Sequence, residues 1–468
     1  MKKNILSIAA LSILCMGFAS CSDDELPYSE AQVTNTELRT ILEKQGIQFD
    51  ETGHMLLDDK VQNLTKLDLT GTKFTDFQAL TILPSLNELD LSDNEFGPTF
   101  DFSVLPTQIT GVDLTGNDIY DFEGLVDAKM ENDELKTTIK HKLVKLHLSE
   151  SAKWNVEDLM PFYMQNKAEG STVDMQMEEK GALKPYTTLR EIPDAVFCAY
   201  LKTVVGEDLF EGNKLNIAKP MDMTKEGATI QFSQWDEGFD KLSTFEGVEY
   251  FINNPYIKPF VVNLVGKEGF KFGYLMPRQN LKTYAAILIQ TTQSEIDFSL
   301  ATNLANLVID GDNNIESLDL SNTKICNQAI NEFEAFSRST INVKNCSSLK
   351  EIILPKATGD KAISASIELM HLPELAAFDF SNTIGHSWLA FVDLPKCKMT
   401  YPTELKYRVD ENWKKLNPIS ADNKVTFIIS KDVKEQESTT AFTGKFKDVL
   451  HDFWVKYRRE PNGSVRWK

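Results

Sequence analysis

Cysteine is scarce in this chain, with six in 468 residues, at positions 15, 21, 198, 326, 346 and 397. Too few are present to staple a fold, so a large apolar core has to hold it. Histidine is equally scarce. The nearest pair, His141 and His147, lies six apart, a spacing that does not share one helix face, so no metal set is expected. Positive charge is in deficit, 49 Lys and Arg against 69 Asp and Glu, for a formal charge of −20. Such a surface repels nucleic acid and anionic lipid. Past the first residues no run of about 20 apolar residues occurs, which excludes a membrane-spanning helix there. Gly-x-Ser-x-Gly, Walker A and Cys-x-x-Cys are all missing, and no acid/base or nucleophile set assembles. The chain therefore reads as a non-enzyme without cofactors.

What is present begins with Met1-Lys2-Lys3 and an apolar core from Ile5 to Phe18. That core is too short to cross a bilayer and fits a cleavable export signal over residues 1–20. It ends Phe18-Ala19-Ser20-Cys21, which resembles the lipobox of bacterial lipoproteins, with Phe18 where Leu is usual. The resemblance implies that Cys21 is acylated with palmitate-type chains and becomes the first mature residue. Several acyl chains on one residue exceed what stable anchoring needs. The run Ser22-Asp23-Asp24-Glu25 resembles the surface-export signal of Bacteroidetes lipoproteins, and residues 21–35 read as an acidic tether. The implied location is the cell outer membrane, facing the medium. Losing residues 1–20, which carry Lys2, Lys3 and no acid, makes the formal charge −22.

Internal repetition dominates residues 36–150. Leu64-x-x-Leu67-x-Leu69-x-x-Thr72-x-Phe74 returns 22 residues later as Leu86-x-x-Leu89-x-Leu91-x-x-Asn94-x-Phe96. It returns again after 23 residues as Ile109-x-x-Val112-x-Leu114-x-x-Asn117-x-Ile119, and once more as Leu143-x-x-Leu146-x-Leu148 after a Lys- and Glu-rich insertion. These segments resemble leucine-rich repeats, with Thr72 standing where Asn is usual. In such repeats the Leu-x-Leu pair of a short strand points inward, Asn bonds the turn backbone, and stacked neighbours supply the core. A second, less regular series follows: Leu304 to Ile309, Ile315 to Leu320, Leu349 to Leu354 and Leu375 to Phe380. "IESLDLSNT" and "CSSLKEIILP" resemble the repeats of gut Bacteroidetes surface proteins.

Each series has a helical preface, Glu37–Gln45 before the first and Ile192–Val205 before the second. Between Pro255 and Leu300 the pattern is poor, with strands expected at Val261–Leu264 and Ala285–Ile289. The expected organisation is a first cap and repeat module over 36–150, an irregular linker or insertion over 151–191, a second cap and module over 192–398, and a closing cap over 399–468. In that cap Val425–Ile429 reads as a strand and Lys445–Tyr457 as a helix.

Candidate binding residues come from the repeat register. Asp68, Asp90 and Asp113 recur at one outward position, with Thr70, Ser92 and Thr115 beside them. Strands lie about 4.8 Å apart, so the carboxylates would form a column. Neighbouring like charges there repel by only roughly 0.8 kcal/mol in water. The column is therefore either a solvated face or a site for a cation or a basic partner. Asp310-Gly311-Asp312-Asn313-Asn314 begins like a calcium loop but has Ile315 in place of Gly and Ser321 in place of Glu, so it reads as a turn. Cys326 and Cys346 either bond across neighbouring coils or fill the core as thiols. The six tryptophans do not recur at repeat spacing, as a sugar-stacking platform would want.

The fold class expected is α/β: a leucine-rich-repeat solenoid with one parallel strand per repeat, in two modules with helical caps. The expected function is recognition of a protein ligand by a lipid-anchored surface protein, in adhesion or host interaction. A glycan-binding accessory lipoprotein of a nutrient-uptake system and an outer-membrane scaffold are the alternatives, since fold alone does not choose among them.

Overall fold

The computed structural model describes residues 28–221, 229–291, 296–328, 340–356, 366–405, 420 and 424–454, with strands at 407–409, 416–418, 457–459 and 465–467. It is a mixed α/β structure built on two mainly parallel sheets. The six-stranded sheet runs Ala182–Pro185, Asp174–Glu179, Lys145–Leu148, Gly111–Asp113, Glu88–Asp90, Lys66–Asp68. All its pairs are parallel except the one closing it at Ala182–Pro185. Leu67, Leu89, Val112 and Leu146 stand opposite one another in register and are fully buried. Each such side chain contributes about 2 kcal/mol of burial, so the period-two pattern fixes the register. The insertion before Leu143 is an antiparallel hairpin, Val126–Glu131 with Glu134–Ile139.

Two asparagines tie successive turns together. Asn117 Oδ1 accepts from the backbone N–H of Asn94 and Phe96, both at 3.0 Å, and its Nδ2 donates to the carbonyls of Leu91 and Leu114. Asn94 makes the same bonds one strand earlier, accepting from Lys73 N and donating to Leu69 O. Thr72 replaces this ladder with two local bonds, its hydroxyl donating to Leu69 O at 2.8 Å and accepting from Phe74 N at 3.3 Å.

Residues 151–191, expected as an irregular linker or insertion, hold regular elements. They form the helix Leu159–Ala168 and a strand, Asp174–Glu179, that pairs in parallel with Lys145–Leu148. Met175 takes the buried position opposite Leu146; an unbranched thioether fills that slot without the leucine signature.

The second sheet has nine strands, all parallel: Thr229–Phe232, Phe260–Phe272, Leu281–Thr291, Asn306–Asp310, Thr340–Lys344, Ser366–Met370, Trp388–Val392, Val425–Ile429 and Leu450–Trp454. One buried row crosses it as Ile230, Val262, Tyr284, Leu307, Ile341, Ile367, Leu389 and Phe427. The stretch with the poorest pattern holds its two longest strands. The expectation of one parallel strand per repeat fails in this half. Ser317–Asp319 does not neighbour Asn306–Asp310; it pairs with Glu351–Ile353 in a separate small sheet, and Ala377–Asp379 pairs likewise with Lys398–Thr400. The expected helix over Lys445–Tyr457 is also corrected. The helix is Glu437–Lys445, and Leu450–Trp454 is the last strand of the long sheet.

The two cores meet near Trp154. Its indole stacks on Tyr250 at 5.3 Å between centroids, and Gly273 lies so close beneath it that a Cβ would fall 2.2 Å from the ring. Asn253 Nδ2 donates to Trp154 O at 3.3 Å, and Tyr256 donates its hydroxyl to Glu157 O at 2.6 Å. Cys326 and Cys346 are both buried thiols.

Candidate recognition faces

The outward side of the six-stranded sheet carries two columns of side chains. Asp68, Asp90, Asp113 and His147 stand side by side in one. Lys66, Glu88, Gly111, Lys145 and Asp174 form the other. The three aspartates do line up, but each first serves its own turn. Asp68 Oδ1 accepts from Thr70 N at 3.0 Å, Asp90 Oδ1 from Ser92 N at 3.3 Å, and Asp113 Oδ1 from Thr115 N at 3.2 Å. Ser92 and Thr115 add hydroxyl bonds of 2.7 Å to the same oxygens, while Thr70 reaches across to Asp90 at 3.3 Å. Asp319 and Asp379 accept from Ser321 N and Ser381 N in the same way. Asp68, Asp90, Asp113, Asp319 and Asp379, each ending a three-residue strand, are thus turn caps, whether or not they also bind anything.

Basic groups interleave with the column. Lys66 Nζ lies 3.1 Å from Asp90 and 3.5 Å from Glu88. Lys145 reaches over the whole strand Gly111–Asp113 to Glu88 at 2.5 Å, which is possible because Gly111 has no side chain; a Cβ there would meet Glu88 Cγ at 3.1 Å. His147 donates or accepts at both ring nitrogens, 3.0 Å from Asp113 and 3.3 Å from Asp174. Burial works to raise the Asp113 carboxyl, but the bonds from His147 and Thr115 outweigh it and hold it at about 2. The hydrogen bond to Asp113 raises His147 above the ordinary imidazole value against the pull of burial, with Asp174 adding to it. Asp90 is lowered too: burial opposes, and Ser92 and Lys66 prevail. His147, Lys66, Glu88 and Asp174 did not emerge from the sequence as site residues. His147 stands opposite Asp113, and in Leu146-His147-Leu148 it takes the place that aspartate holds in Leu67-Asp68-Leu69 and Leu89-Asp90-Leu91; that alignment was the available signal.

The chain matches no model of a known protein family, no curated protein and no solved structure.

The outward face of the long sheet differs in kind. Thr283, Asn306, Thr340, Ser366, Trp388 and Thr426 form one straight row. Trp388 is 37 % exposed. Beside it Met370, Ala390 and Val392 make a small apolar cluster apart from the main core, with Ile428 packed on it. Lys344 and Asn342 both reach Glu368, at 2.9 and 3.1 Å. Of the other tryptophans, Trp154 is buried and Trp235 is 86 % exposed; the side chains of Trp413, Trp454 and Trp467 lie outside the described residues, as does Cys21.

The turn Asp310–Asn314 is held by a bond within it and by bonds to the neighbouring segment Lys344–Asn345. Asp312 Oδ1 accepts from Asn314 N at 3.0 Å, and Asp310 Oδ1 from Asn345 Nδ2 at 2.6 Å. Among the described residues no group of three or more His, Cys, Asp or Glu is placed to hold a metal, and no helix is long and apolar enough to cross a membrane.

Proposed function

We propose that this chain is a leucine-rich-repeat solenoid, held to the outer membrane through an acylated Cys21 and displayed to the medium, which recognises a protein ligand without chemistry of its own. The observation that carries the reading is the outward face of the six-stranded sheet, where residues 22 and 23 apart in sequence stand opposite one another. It presents alternating charge in fixed columns, an arrangement suited to an electrostatically complementary protein surface. Among the described residues Asp68, on the edge strand Lys66–Asp68, forms no ion pair, and its side chain accepts the turn bond from Thr70 N. It is the carboxylate best placed to meet a cation from outside. On the outward face of the long sheet Trp388 would favour a carbohydrate ligand, but it stands alone in a row of small polar residues.

The test presents residues 22–468, without the acyl anchor, to arrays of extracellular proteins and of glycans. Protein capture that weakens with salt, and falls about tenfold in Asp68→Asn/Asp90→Asn/Asp113→Asn, is the expected result. Glycan binding with no protein capture, or capture indifferent to the triple change, rejects the reading. Incorporation of a labelled fatty acid that Cys21→Ala abolishes checks the anchor separately.

A further inference from the structure

A cavity of about 570 Å³ opens where the hairpin Val126–Glu131/Glu134–Ile139 approaches the second half of the chain. That is the size of a small-molecule site. Its walls come from both halves: Met130 and Leu135 on the hairpin, Met160 on the helix Leu159–Ala168, and Met221 and Ile257 opposite. Three methionines in one wall set give an apolar lining that adapts to the shape of what enters. Met130 is 42 % exposed, so apolar surface is left facing the opening.

The polar groups at the cavity favour one sign. Lys219 and Lys258 both line it, against a single acid, Asp133. Lys219 Nζ donates to a backbone carbonyl, that of Asp208, and Lys258 is exposed; neither meets a carboxylate among the described residues. By contrast Lys66, Lys145 and Lys153 are all ion-paired. In a chain of formal charge −20, two lysines with no carboxylate partner among the described residues outnumber the one acid in the lining of this apolar cavity.

We propose that this cavity binds a small anionic amphiphile, an apolar body of one or two fused rings carrying one carboxylate or sulfonate. The body displaces water from the methionine walls while the anion stays at the mouth, within reach of Lys258 and Lys219. The site is separate from both sheet faces, so it stands or falls independently of the protein-binding role.

The experiment titrates the 22–468 chain with 8-anilinonaphthalene-1-sulfonate and with N-phenyl-1-naphthylamine, the same rings without the sulfonate. Saturable binding of one sulfonate probe per chain is expected, with the neutral probe about tenfold weaker or more. Lys258→Glu and Met130→Glu each weaken the sulfonate about tenfold, while Val144→Glu, an exposed apolar position outside the cavity, leaves it unchanged. Because Met130 and Lys258 are exposed, both variants keep the parent melting temperature, which confirms that a lost signal reports the site and not the fold. Unsaturable binding, equal affinity for the two probes, or equal weakening by all three substitutions overturns the proposal.

Discussion

His147 lies between two carboxylates, at 3.0 Å from Asp113 and 3.3 Å from Asp174, and its charge is therefore worth something to the fold. Its pKa is raised in the folded state, so the stabilisation is complete below the unfolded value near 6.5 and fades as pH rises through the folded value. Asp113, held at about 2, contributes above its unfolded value near 3.8 and loses that contribution as pH falls towards 2. The pair therefore works best between roughly pH 4 and pH 6.5. His147→Gln should cost more stability at pH 5 than at pH 9, measured by denaturant midpoints; an equal loss at both values removes the charged pair from the account. Residues of this kind divide by how local their signals are. Asn94 and Asn117 were legible because both stand at the same place in the repeated pattern, although much of the backbone that each bonds belongs to the turn before it. The histidine bridge was not, since Asp174 comes from a strand whose inward residue is methionine.

The tail shows the same division among elements. Phe446, Val449, Leu450, Phe453 and Trp454 fall at helical spacing, and local periodicity alone points to a helix. The helix that forms instead, Glu437–Lys445, buries Phe442 against Tyr401 and Phe427, with centroids 4.5 and 5.6 Å apart. Leu450–Trp454 then pairs with Val425–Ile429. An open strand edge nearby outbids periodicity, because each backbone group on that edge gains a partner. Strands were expected at Val261–Leu264 and Ala285–Ile289, inside Phe260–Phe272 and Leu281–Thr291, but not their full length, since Gly266-Lys267-Glu268-Gly269 breaks the apolar pattern of the first. By contrast Leu67, Leu89 and Val112 announce their strands because the residues flanking them face outward. Ending the chain after Val449 should leave Val425–Ile429 as a bare edge. Oligomers or aggregates by size-exclusion chromatography are expected, with strand signal lost from the circular dichroism. A monomeric product that loses helix signal would restore the helical reading of the tail.

At the scale of the molecule, the two cores are coupled through the segment around Trp154–Asp158. Arg278 reaches Glu157 in an ion pair, Tyr256 bonds Glu157 O at 2.6 Å, and Asn155 Nδ2 donates to Asp158 at 2.9 Å. One arginine faces several acids here. Burial, with Glu157 and Asp121 adding to it, pushes Asp158 up to about 8, and burial raises Glu157 as well despite Arg278. A carboxyl whose folded value exceeds its unfolded value near 3.8 favours the folded state only while protonated. The junction therefore loses stability as pH climbs from about 4 through 8, the reverse of the trend set by Asp113. Asp158→Asn keeps a polar side chain beside Asn155 and removes the ionisation. In thermal melts it should match or trail the parent at pH 5 and exceed it at pH 9. The gain should appear in how sharply the two halves unfold together, because the group sits between their cores and not within either. A parent protein whose melting is no weaker at pH 9 than at pH 5 once His147 is replaced, or an Asp158→Asn variant with no relative gain at high pH, would show that this carboxyl is ionised without cost and that other contacts, such as Gly273 beneath Trp154, carry the coupling.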